Sequence, residues 1–155
     1  PKIYPLSETL RQNTVRSGVQ EKGILYLESV VVGQSLHHNK IKVSLPEGEY
    51  AETLPVTAEG LNYRFSTLTA NYEIVRYSGK NENGVAQFVY TFKDHPITVH
   101  FIGKRTLSKR MSTNEKEAIA QSYELSSLLL EIERLKLEKE KSEVLIRYLL
   151  SKQTE

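Results

Sequence analysis

The 155-residue chain carries 21 basic and 19 acidic side chains, with 39% hydrophobic and 26% charged residues and no cysteine. That balance is ordinary for a globular protein and excludes wholesale disorder, disulfide frameworks, thiolate zinc sites and cysteine nucleophiles. No apolar run reaches the ~18 residues that a membrane-spanning helix needs.

Residues 1–23 read as an N-terminal arm. Ser7 is placed to cap a short helix ending before Gly18, and an extended arm laid on a neighbour fits the two prolines of PKIYP equally well. Pro1 is the end that removal of an initiator methionine leaves, and signal peptidase disfavours proline after its cut, so the expectation leans to a non-secreted protein, cytoplasmic or within a particle.

From Ile24 the pattern takes the period of strands, and residues 24–103 read as an antiparallel β-sandwich or barrel head. ILYLESVVV (24–32) is a central strand stopped by Gly33; KIKVSL (40–45) turns Ile41, Val43 and Leu45 inward, and LNYRFST does the same with Leu61, Tyr63 and Phe65. NYEIVRY (71–77), the polar SGKNENG and VAQFVYTF (85–92) predict a hairpin turned at Asn83-Gly84. ITVHFI follows, with Ile97, Val99 and Phe101 on one face.

Residues 104–112 read as a basic linker containing Lys104, Arg105, Lys109 and Arg110. Ser112 with Glu115, and Asn114 with Glu117, have capping-box spacing, which predicts a helix starting within a residue or two of Thr113; no glycine or proline interrupts it through residue 155. Such a helix is about 60 Å long, roughly twice the width of the head, and cannot pack along its whole length.

A seven-residue seam on this helix collects Leu125, Leu128, Ile132 and Leu135, then Lys139 and Ser142, then Ile146 and Leu149, which is coiled-coil-like with a polar step. Leu129, Leu130, Leu145 and Leu150 widen the two patches, so three or more strands, or docking on another protein, fit as well as a dimer. One reading packs residues 118–135 back on the head and lets the distal part fray. The exposed VLIRYLL it would leave argues against it. The step itself suggests two surfaces, with Leu125 to Leu135 on the protein's own head or a symmetry mate and Val144 to Leu150 docked elsewhere.

Chemistry is sparse. Asp94 is the single aspartate, whereas EF-hands, aspartic dyads and two-metal sites draw on several carboxylates. Glu47, Glu49 and Glu52 sit in a proline-bounded loop that reads as an exposed acidic surface. His37 and His38 are adjacent and point opposite ways in extended chain, and with His95 and His100 they read as surface or edge residues. No nucleophile elbow, Walker loop or dinucleotide fingerprint occurs. No catalytic residue, cofactor or metal site is therefore expected.

The sequence thus predicts an α+β chain, a β-sandwich or barrel head followed by a long amphipathic C-terminal helix. Its expected role is a non-enzymatic assembly or adaptor subunit, with protein partners, self or a larger complex such as a virus or phage particle, held through the helix. The alternative is a nucleic-acid-binding β-barrel that uses Lys104, Arg105, Lys109 and Arg110 with Phe88, Tyr90 and Phe92 as stacking platforms.

Overall fold

A computed structural model describes residues 12–153. The Ser7-capped helix of the arm lies outside these residues. Eight strands and two helices follow in order: β1 (Thr14–Val19), β2 (Leu25–Val32), β3 (Lys40–Ser44), β4 (Tyr50–Glu52), β5 (Asn62–Ser66), β6 (Asn71–Ser78), α1 (Val85–Thr91), β7 (Thr98–Ile102), β8 (Thr106–Arg110) and α2 (Thr113–Gln153). The strands make two four-stranded antiparallel sheets, ordered β1-β2-β6-β5 and β4-β3-β7-β8. No ladder joins them into a barrel among the described residues.

Alternation along the strands builds a core that both sheets share. Leu27, Val31, Val75 and Tyr77 come from the first sheet, Ile41, Val43, Val99 and Phe101 from the second, and all are at most 1% exposed. Val85, Ala86 and Val89 of α1 and Ile119 of α2 complete it. The expected inward set Ile41, Val43, Leu45, Ile97, Val99 and Phe101 is buried. Tyr63 and Phe65 are not, because β5 is an edge strand whose Tyr63 and Phe65 lie on the sheet face turned from the core.

Three expected elements are corrected. The hairpin of residues 71–92 does not form: β6 is a strand, but Val85–Thr91 is helix α1. Asn83 and Gly84 do have positive φ, 58° and 85°, yet they start a helix instead of turning a hairpin. Glu82 caps that start, its carboxylate accepting from Ala86 N at 2.6 Å and Gly84 N at 3.2 Å. Val85 and Val89 are buried and Phe88 lies 4.8 Å from Phe92, which is helical spacing that a short apolar run conceals. Residues 14–19, read as arm, form edge strand β1, paired from Thr14↔Val30 to Val19↔Leu25. Residues 106–110, read as linker, form edge strand β8 on β7.

Glycine is required at Gly103. A Cβ there would sit 2.4 Å from the Leu36 carbonyl oxygen and 2.5 Å from that of His37, both backbone atoms that cannot swing away. Gly103→Ala should therefore cost about 1–3 kcal/mol, read as a lower urea midpoint with unchanged slope.

The helix starts at Thr113, as expected, on the first of the two capping-box candidates. Glu115 N donates to Ser112 Oγ at 3.1 Å and Ser112 N donates back to Glu115 Oε1 at 3.2 Å, closing the capping box. The same carboxylate accepts from Val15 N and Thr14 Oγ1, each at 3.1 Å, and from Lys109 Nζ at 2.7 Å. One glutamate thus ties β1, β8 and α2 together.

Candidate functional site

Two features stand out from the general packing: the face of α2 that leaves the head, and a hydrogen-bonded relay inside the head.

The first 18 or so residues of α2 lie against β1 and α1. Ile119 and Ala120 are buried, Tyr123 lies 5.0 Å from Tyr90, and Ser17 Oγ bonds the Ala118 carbonyl at 3.3 Å and Ser122 Oγ at 2.8 Å. The last anchor is Ser126, whose hydroxyl donates to the Gly23 carbonyl at 2.5 Å. Gly23, at φ 95°, lets Leu129 and Leu130 pass so closely that a Cβ on it would sit 3.0 Å from both. From Glu131 onward every described residue except half-buried Glu133 is exposed. The ~23 residues beyond Leu130 extend about 35 Å from the head.

At 100° per residue, Ile119, Tyr123, Ser126 and Leu130 fall on the side that meets the head, and Leu137, Val144 and Tyr148 continue that stripe past it. The seam Leu125, Leu128, Ile132, Leu135, Ile146 and Leu149 occupies the opposite side. Its proximal members are exposed, Leu125 at 47% and Leu128 at 59%. Of the proximal patch, expected on the protein's own head or a symmetry mate, Leu129 and Leu130 pass against the head but Leu125, Leu128, Ile132 and Leu135 do not; the main contact is made by Ile119, Ala120, Tyr123 and Ser126. Two stripes on opposite faces also make α2 less amphipathic than expected.

Charged groups decorate the protruding part of α2 without burying. Arg134 bridges Glu131 and Glu138, the latter at 2.6 Å, and Lys136 lies 3.7 Å from Glu133. The hydrogen bond from Arg134 holds the Glu131 carboxyl below its usual value. Exposed pairs of this kind are worth a few tenths of a kcal/mol and exchange partners readily.

Inside the head, Ser29 Oγ lies 2.8 Å from His38 Nε2, and His38 Nδ1 lies 2.7 Å from Glu73 Oε1. Register explains the meeting. Ser29 of β2 pairs with Val75 of β6, so Glu73 and Tyr77, two residues either way, flank it on the core face. The loop after β2 then inserts His38 between them. Tyr77 Oη sits 3.0 Å from Ser29 Oγ, and His37 N and His38 N donate to the Glu73 carboxylate at 2.8 and 3.0 Å. Every group finds a partner when Tyr77 donates to Ser29, Ser29 to Nε2, and Nδ1–H to Glu73.

Burial alone would raise the Glu73 carboxyl, but the bonds from the His38 ring and two backbone N–H groups outweigh it and hold it at about 2. Burial pushes the Tyr77 phenol well up, only partly offset by bonds to Ser29 and Thr53, so it stays protonated.

Serine, histidine and carboxylate in this order are the parts of a nucleophilic triad. Here Ser29 and His38 are 0% exposed, and Tyr77 occupies the other side of the hydroxyl. A shallow pocket of about 130 Å³, with Arg64 and Tyr72 in its wall, opens at the Glu73 end, away from Ser29. A carbonyl substrate has no path to the serine in this conformation. The relay pins the loop between the sheets, with His38 edge-on to Phe101 at 5.9 Å. This corrects His38, read as a surface or edge residue. The sequence held no signal for it, since three separate segments supply its members.

The remaining candidates are not brought together. His100 lies on the outer face of β7, bonded to Ser44 and Ser108, and burial followed by Lys42 keeps its pKa below the usual value. His38 lies on the inner face, so no site joins them, and among the described residues no three metal-ligating side chains converge. Lys104 and Arg105 sit in the β7–β8 turn, Arg105 bonding the Ser35 carbonyl at 3.2 Å. Lys109 and Arg110 are at the far end of β8, where Lys109 is held by Glu115 and Arg110 points the other way. The four cations make no single patch. Phe88 and Tyr90 stand on helix α1 and Phe92 at its C-cap, not on a strand, and Tyr90 is covered by Tyr123, so the expected stacking platform is absent.

No family model, curated protein or solved structure matches this chain. No helix among the described residues is long and apolar enough to cross a membrane.

Proposed function

We propose that the protein is a non-enzymatic assembly or adaptor subunit, with the β-head as the presented body and α2 as the element that joins it to other chains. A particle built of many subunits, such as a virion or phage component, suits this division of labour. One observation carries the reading: α2 continues about 35 Å past its last contact with the head while holding large apolar side chains half in water, Val144 at 62% and Ile146 at 56% among them. Exposed apolar patches of this kind mark an interaction site, because full burial of each such side chain is worth ~1.5–3 kcal/mol.

The test is light scattering on the full chain beside the double variant Ile132→Asp, Ile146→Asp. Both positions are exposed and far from the head core, so the head's circular dichroism should not change. Association should weaken at least ~1,000-fold, since each aspartate would be buried without a partner. A full chain that is monomeric at every concentration and binds no other chain sinks the reading.

A further inference from the structure

The two apolar patches of α2 and the polar step between them are complementary to each other when one copy is turned end for end. We infer that the seam of α2 pairs with α2 of a second copy of this chain, antiparallel, with Ile132 against Leu149 and Leu135 against Ile146 of that copy. The inference rests on the assembly reading and names the partner.

In this register Ile132, Leu135, Ile146 and Leu149 each meet an apolar residue, the step meets itself as Lys139 against Ser142 of the second copy, and Leu128 and Leu125 fall opposite Gln153 and beyond the overlap. Lys139 can lay its stem along the seam and carry its ammonium to the edge. The flanks agree with the core. Along one flank Glu131 meets Lys152 of the second copy and Glu138 runs beside Leu145; along the other, Lys136 meets Glu143 and Leu129 meets Leu150. All four charge pairs of the twofold arrangement are of opposite sign.

The alternatives lose on the same residues. A parallel pair sets Glu131 beside Lys136 on both flanks, but also Lys139 against Lys139 in the seam and Glu138 against Glu143 on both flanks. Sliding the antiparallel pair by one heptad puts Ile132 on Ser142 and Leu135 on Lys139, and opposes Glu138 to Glu138 and Lys136 to Lys136. Of these arrangements only the first sets no two like charges against each other.

Geometry permits it. The seam lies on the side of α2 away from the head, so a second helix can run along it without meeting β1 or α1. The overlap, Leu129 to Lys152, begins where α2 leaves Gly23. Arg134 keeps its bonds to Glu131 and Glu138 outside the seam. Leu137, Val144 and Tyr148 are on the head-facing stripe and take no part in this pair.

Because the chain has no cysteine, introduced thiols report the pairing without background. Leu135 and Ile146 are both at least half exposed, so Leu135→Cys with Ile146→Cys spares the head. Under mild oxidation that double variant should form a covalent dimer, and light scattering should give the mass of two chains. Ile146→Cys alone should stay uncrosslinked, since the two Ile146 positions are about 16 Å apart along the axis, beyond the ~7 Å reach of a disulfide. Self-crosslinking of Ile146→Cys, or a threefold mass, overturns the antiparallel pair while leaving helix-mediated assembly standing. A monomer throughout, with no crosslink in the double variant, overturns both self-pairing and the self-association half of the assembly reading.

Discussion

Glu73→Gln should lower the stability of the head by about 3–5 kcal/mol, a large fraction of the ~5–15 kcal/mol that holds a domain together. Three donors converge on this carboxylate: the His38 ring, His38 N and His37 N. An amide offers one acceptor oxygen and turns an NH₂ group toward those donors, leaving buried N–H groups without partners. The effect should appear as a lower urea midpoint at neutral pH with little change in slope.

The same carboxylate sets an acid limb. Its folded pKa, about 2, lies below the ordinary 4.5, so its contribution is complete above about pH 4.5 and is lost as pH falls toward 2. The loss is on the order of 3 kcal/mol. Wild-type protein should show that decline in urea midpoints taken down this range, and Glu73→Gln should lack this component because it has no carboxyl to titrate there. Equal acid limbs in the two proteins would contradict the relay as drawn, as would an unchanged midpoint at neutral pH.

What could be read from the chain follows from how local each signal is. The α2 start was legible because Ser112 and Glu115 satisfy each other within four residues, and KIKVSL because alternation is a property of the strand itself. VAQFVYTF was misread since an apolar octamer fits a period of 2 and of 3.6 alike, and the deciding contact is Glu82 with Ala86 N. β1 and β8 are edge strands of mixed polarity, TVRSGV and TLSKR, whose pairing is settled by β2 and β7 across the ladder. The relay was beyond reach for a related reason. Ser29, His38, Glu73 and Tyr77 become neighbours only through the β2–β6 register and the loop after β2. On α2 the seam residues were visible, but which stripe meets the head was not, because the seven-residue spacing describes both faces equally well.

Ending the chain after Lys141 separates the two jobs of α2. Head contacts are made by Ile119, Ala120, Tyr123 and Ser126, with Leu129 and Leu130 passing Gly23, all of which the truncation keeps. Removed side chains from Val144 to Leu150 are more than half exposed and touch no part of the head. At a dilution where both proteins are monomeric, the melting temperature should therefore stay within about 2 °C, as expected for changes under ~0.5 kcal/mol. Ile119→Ala in the full chain is the contrast: it empties a fully buried site and should cost about 2–4 kcal/mol. Association should respond in the opposite order. In the antiparallel pair Ile132 and Leu135 have Leu149 and Ile146 of the second copy as their only seam partners, so truncation removes every apolar layer at once and leaves no dimer at any accessible concentration. A parallel pair would keep Leu125, Leu128, Ile132 and Leu135 stacked on their own copies and would retain weakened dimers. Sedimentation of the truncated chain thus decides whether the distal patch completes the proximal one or docks independently of it, and a truncation that unfolds the head would instead place Val144 to Leu150 in the domain core.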